Sequence, residues 1–149
     1  MAKATGGIDN QGNRLRGVGT PTAADDGVPR GFIRYDIGIP VIGKPLAGEV
    51  IGFYVAPVAF TLPANLAGSI ARALTAAAAS AAWTLTRIPA GSTAETTIAT
   101  LTFAANGTLA SFSTQVAVTV AVGDVLRLKA PATQDSALSD ITFTIVGAR

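Results

Sequence analysis

From residue 32 onward, apolar residues come in short runs of four to nine, broken by Gly, Pro, Asn and Asp. Runs of that length between turn-forming residues predict β-strands. Ten are expected: 32–38, 49–56, 59–62, 69–76, 81–88, 96–104, 109–114, 116–120, 124–130 and 140–147. Two alternate clearly. Ile141, Phe143 and Ile145 point one way and Thr142 and Thr144 the other, while Val125, Leu126 and Leu128 interleave with Arg127 and Lys129. Threonine on the wet face belongs to antiparallel strands buried on one side. The expected fold class is all-β: an antiparallel β-sandwich or jelly roll over residues 32–149, preceded by an extended N-terminal arm over residues 1–31.

The breaks between runs carry their own signals. Asn106-Gly107 is a strong hairpin signal in which both turn positions are expected at positive φ. Pro89-Ala90-Gly91 and Val122-Gly123-Asp124 mark two more turns. Pro45, Pro57 and Pro63 make the early strands short, bent or edge-located. The stretch 69–83, SIARALTAAAASAAW, holds the best helix formers in the chain, and a helix of about three turns is the alternative there. Thr75 and Ser80 interrupt it, however, and WTLTRI continues with strand alternation, so strands are the expected reading.

The first 31 residues read differently. Gly, Asn, Asp and Pro are dense, and the apolar residues Ile8, Leu15, Val18 and Val28 are scattered. Such a segment cannot build its own core, so its order is expected to come from a partner.

Composition narrows the function classes. Charged residues are 13% of the 149, against about 25% in typical soluble chains. A weakly charged exterior favours a component covered by copies of itself or by partner proteins. The net charge is +2, and beyond residue 44 five cations face five carboxylates. No dense basic face is seen, which argues against nucleic acid as a partner. The longest apolar run is too short to span a bilayer, so membrane insertion is not expected. The opening MAKATGGIDNQGN lacks the apolar core of a secretory signal. There is no Cys, which fits synthesis in a reducing compartment such as a host cytoplasm.

Catalytic chemistry has little to work with. With no His and no Cys, the usual nucleophile–base pairs are missing. Ser111 or Ser113 would need Lys129 as an unusual base. Asp135 and Asp140 flank a loop at a spacing that a carboxylate pair could use, but they read more simply as caps on backbone N–H groups. Asp25-Asp26 lacks the alternating spacing that wraps a cation, and no Gly-rich stretch ends in the Gly-Lys-Ser/Thr of a phosphate loop. No cofactor, metal or catalytic residue is expected. Trp83, Tyr35 and Tyr54 are candidates for stacking on a sugar, with core positions as the simpler alternative.

The segment 13–33, NRLRGVGTPTAADDGVPRGFI, resembles a short module of tailed-bacteriophage tail-fibre proteins. An Asn-basic-apolar start at Asn13, Arg14 and Leu15 leads to Pro21-Thr22-Ala23-Ala24. The acidic Asp25 follows, then the basic Arg30, then Phe32 and Ile33. Val28-Pro29 departs from the pattern, and any short helix after Pro21 is expected to stop before Pro29. The remainder, notably 43–71 and 123–149, resembles a small β domain of tail-fibre, baseplate and other virion-surface proteins.

These resemblances imply a non-enzymatic structural protein on the virion surface, a homotrimer docked onto tail, baseplate or capsid proteins through the arm. The arm residues expected to bind the partner are Ile8, Arg14, Leu15, Arg16, Val18, Pro21, Asp25, Arg30 and Phe32. A short tail-fibre or baseplate-associated subunit is the leading reading. The alternatives are a capsid decoration protein, such as a cement protein or head fibre, and a receptor module that stacks a host surface glycan on Trp83 or Tyr54.

Overall fold

A computed structural model describes residues 34–114 and 116–149. The binding residues expected in the arm, Ile8 to Phe32, lie outside this range. The ten expected strands are present: β1 (Arg34–Val41), β2 (Val50–Val55), β3 (Phe60–Leu62), β4 (Ile70–Thr75), β5 (Ala81–Ile88), β6 (Thr96–Phe103), β7 (Ala110–Ser113), β8 (Val118–Val120), β9 (Val125–Lys129) and β10 (Ser139–Ala148). The stretch 69–83 is two strands and a connection rather than a helix, because both halves find sheet partners.

The strands form two antiparallel sheets. Sheet A runs β1-β10-β3-β8, with β4 also on β10, and sheet B runs β2-β9-β5-β6-β7. β3 and β4 lie beside different parts of β10: Thr61 pairs with Ala148, while Ile70 to Thr75 pair with Thr144 to Ser139. Together they make one strand, broken by a 3-10 turn at Ala64–Leu66 in which Asn65 and Leu66 take φ of 53° and 47°. Ser69 Oγ accepts the amide of Val146 at 2.8 Å and bridges the break. Counted this way, the order is that of a jelly roll, with the chain crossing repeatedly between two four-stranded layers and β7 added to one edge.

Alternation explains the core. Ile37, Ile39 and Val41 of β1 and Ile141, Phe143 and Ile145 of β10 face inward from sheet A. Ala81, Trp83 and Leu85 of β5 meet them with Leu101, Phe103, Leu126 and Leu128 from sheet B. The sheets join through aromatic rings: Trp83 lies 5.0 Å from Phe143, and Phe103 lies edge-on to Phe143 at 6.2 Å. Burial of each Val, Leu, Ile or Phe among them stabilises the body by about 1.5–3 kcal/mol.

Two local expectations need correction. Val125 lies on the outer side with Arg127 and Lys129, so only Leu126 and Leu128 of β9 are buried. At Asn106-Gly107 the connection spans residues 104–109, and only Asn106 has positive φ, at 60°. The amide of Gly107 donates to Ala104 O at 2.9 Å, a turn with one left-handed residue at its third position. Glycine is needed at 107 for space: a Cβ there would sit 2.9 Å from Ala104 O. The other two turns are as read, with Gly91 and Gly123 at φ of 73° and 84°.

Candidate functional site

Buried and half-buried carboxylates organise both ends of the sandwich. Asp124, 2% exposed, accepts the amides of Ala90 and Ala121, each at 2.9 Å, and pairs with Arg87 Nε at 3.0 Å. Burial alone would raise its pKa. The two amides and the Arg87 charge outweigh that and lower it. Asp124 thereby ties the β5–β6 loop to the β8–β9 turn. The β2–β3 connection joins the same knot, since the Ala56 amide donates to Asp124 O at 2.9 Å.

Asp135 does the same elsewhere. Its carboxylate accepts four amides, from Ala78, Ala79, Ala137 and Leu138, at 2.7–3.0 Å. Burial opposes ionisation here too, but the four donors hold the carboxyl well below the ordinary carboxylate range. Asp140 Oδ1 accepts the Gly43 amide at 2.8 Å. Both aspartates therefore act as caps between loops, the simpler of their two sequence readings.

The serine–lysine arrangement is not assembled. Lys129, Thr84, Thr100 and Ser113 form one cross-strand row on sheet B. Three strand spacings, roughly 14 Å, therefore separate Lys129 from Ser113. Lys129 Nζ instead binds Glu95 Oε2 at 2.7 Å, and Ser111 Oγ donates to Thr102 O at 3.3 Å.

Glu95 is the centre of a polar cluster on the outer face of sheet B. Thr86 Oγ1 donates to its Oε1 at 2.5 Å, and Arg127 Nη1 lies 3.4 Å from its Oε2. The hydrogen bond from Lys129, then that from Thr86, lowers the Glu95 pKa against a smaller effect of burial. Arg127 in turn sits over the Phe53 ring, 5.3 Å from its centroid, a cation–π contact. Sequence reasoning did not single out Phe53. Its signal was its place between Gly52 and Tyr54 in β2, where alternation sends neighbouring rings to opposite faces.

The expected sugar-stacking residues do not form a platform. Trp83 is 0% exposed, so it presents no face to a ligand and takes the core alternative; its Nε1 is buried without a hydrogen-bond partner. Tyr54 is half-buried, edge-on to Phe60 at 6.3 Å and to Tyr35 at 6.1 Å, with its hydroxyl bonded to that of Tyr35. Tyr35 stacks on Phe60 at 5.0 Å. These three rings form a second aromatic cluster, four residues along the β1–β10 ladder from Phe143. Phe53, 68% exposed, is the solvent-facing ring among the described residues.

The outer face of sheet A has a different character. Ile42, Ile70, Leu74 and Leu109 are all exposed there, and Ile42 and Leu74 line a groove of about 340 Å³ together with Pro40, Arg72, Asp140 and Thr142. The outer face of sheet B thus carries the Glu95 cluster beside Phe53, and that of sheet A exposed aliphatic side chains among Arg72, Asp140 and Thr142, while Asp124, Asp135 and Asp140 hold loops. No known protein family, curated protein or solved structure matches the chain.

Proposed function

We propose that the chain is a non-enzymatic structural subunit of a tailed phage or phage-like particle. It is a short tail-fibre or baseplate-associated protein that docks through residues 1–31 and projects the jelly roll outward. The observation that carries this reading is the division of labour along the chain. Residues 34–149 close an apolar core of their own, whereas residues 1–31 lack the apolar content to do so and resemble a tail-fibre module. The engagement of Asp124, Asp135, Asp140 and Glu95 in loop and surface bonds also supports a structural role over a catalytic one.

Coupled ordering of such an arm costs roughly 2–5 kcal/mol of gross interaction energy, which several arms on one platform offset by avidity. A capsid decoration protein is the second reading. It is favoured by the compactness of the described body, whose ten strands fill one sandwich.

Deletion of residues 2–31 tests the proposal. The truncated chain is expected to fold, with the buried emission of Trp83 retained, and to be lost from purified particles. Incorporation at the full-length level defeats the docking role. Labelling of the full chain on tail or shell separates the two readings.

A further inference from the structure

β4 is built inside out. Its alanines, Ala71 and Ala73, are 0% and 1% exposed, while Ile70 and Leu74 point to solvent at 55% and 80%. Ile42, after β1, is 94% exposed, and Leu109, bridged to Arg72, is 59% exposed. These four are among the nine large apolar side chains left exposed in the described residues, and all four share the outer face of sheet A. Together they present on the order of 500 Å², the size at which an apolar patch marks an interaction surface. With the threonines and Pro40 between them, the face approaches the roughly 800 Å² per partner of a standard interface.

The register places this face in rows. Pro40, Thr142 and Arg72 form one row, and Gly38, Thr144 and Ile70 the next. One step the other way lie Ile42, Asp140 and Leu74. Arg72 has no ion pair among the described residues, and it lies diagonally across the Leu74–Thr142 line from Asp140. A two-fold axis lying in the face along that line sets Arg72 of one copy opposite Asp140 of the other, twice over. Leu74 then meets its own equivalent at the axis, and Ile42 comes over the β4 edge, where Leu109 and Ile70 are exposed. A patch that supplies its own complement in both charge and apolar bulk is what an isologous contact requires.

We propose that the outer face of sheet A is where a second copy of this chain packs, about a two-fold axis. The pairing differs from the three-fold arrangement that the tail-fibre resemblance implies, and it does not depend on how the arm docks.

Light scattering on the purified full chain at micromolar concentrations tests it. The expected mass is twice the 14.9 kDa of one chain. Leu74→Lys and Ile42→Lys change exposed side chains and are expected to give folded monomers, read by unchanged Trp83 emission, with pairing weakened at least a hundredfold. Arg72→Glu is expected to weaken it at least tenfold, by facing Asp140 with a like charge. Val122→Lys, 61% exposed in the β8–β9 turn, is expected to leave the dimer intact. A monomeric parent chain, whatever covers the face, overturns the proposal. So does a trimer, or a dimer indifferent to substitution at 42, 72 and 74. Particle incorporation is a separate readout, so the docking reading stands or falls independently.

Discussion

Arg87 Nε lies 3.0 Å from Asp124 Oδ2, with the arginine 31% exposed and the aspartate 2%. The same guanidinium donates to Thr119 O at 2.9 Å, so one cation neutralises the buried carboxylate and holds the middle of β8. The pair is the fastening of one end of the sandwich. Asp124→Ala removes the acceptor for two amides and strands Arg87 in a half-buried site. A loss of about 2–4 kcal/mol is expected, against roughly 1–2 kcal/mol for Asp124→Asn, which keeps an acceptor oxygen. Urea unfolding followed by Trp83 fluorescence measures both, and an unchanged midpoint in the alanine variant contradicts the fastening role.

Acid is expected to unfasten both ends. The pKa values of Asp124, Asp135 and Glu95 are all lower in the fold than their ordinary values. The unfolded chain therefore binds more protons over that range. The stabilisation is complete above the unfolded values of about 3.9 for Asp and 4.3 for Glu, and drains away as pH falls through the folded ones. Urea midpoints are expected to stay level from neutral pH to about 5 and to drop below about 4. Asp135→Asn lowers stability at neutral pH and flattens the acid limb. A limb of full steepness in that variant rules Asp135 out as a contributor.

Base acts on the other aromatic cluster. Burial raises the Tyr54 pKa, and the hydrogen bond and charge of Tyr35 add to the effect. The phenol favours its neutral form in the fold, so its stabilisation is intact below the unfolded pKa of about 10 and is lost as pH rises beyond it. Tyr54→Phe is expected to remove most of that alkaline loss while lowering neutral stability by about 1 kcal/mol for the missing hydroxyl bond. Denaturation at stepped alkaline pH, with phenolate absorbance in parallel, measures this.

Gly147 is expected to tolerate no side chain. It pairs with Tyr35 in the β1–β10 ladder, and a Cβ there would fall 2.6 Å from Phe60 Cδ2. That ring is 3% exposed and stacked on Tyr35, so it has nowhere to move. Gly147→Ala is expected to cost about 1–3 kcal/mol by overpacking. Gly38→Ala is the matched control, since nothing lies within 4 Å of a Cβ at that position; an equal loss in both variants would leave the Phe60 clash without effect.

The strands were legible because their signals are local. In β5 the alternation of Ala81, Trp83 and Leu85 and the following Pro89 mark both limits, and the strand ends where the sequence reading ends it. The interruption after Pro63 was legible, but not that β3 and β4 continue one another along β10, nor the left-handed backbone of Asn65 and Leu66, where the Asn65 amide is held by Thr114 from elsewhere in the chain. Nor was the orientation of β4: alternation allows either face to be inside, and apolarity alone would have buried Ile70 and Leu74 instead of the alanines. The aromatic residues show the same limit. The scarcity of aromatic residues favoured core positions for Trp83 and Tyr54, and Trp83 is buried as that reading has it, but nothing in the sequence marked Phe53 as the ring left outside.

One consequence of the strand order concerns mechanical load. β1 is an edge strand joined to the body chiefly through its ladder with β10, from Arg34 opposite Ala148 to Val41 opposite Ile141. Tension entering at Arg34 and resisted at the far end of the sandwich runs along the strand, so the ladder's bonds share it in shear. Tension between Arg34 and the neighbouring Ala148 would instead peel the strands apart one rung at a time. The body is thus suited to being held from its leading end and pushed or pulled at its opposite tip, and ill suited to being hung between its two termini.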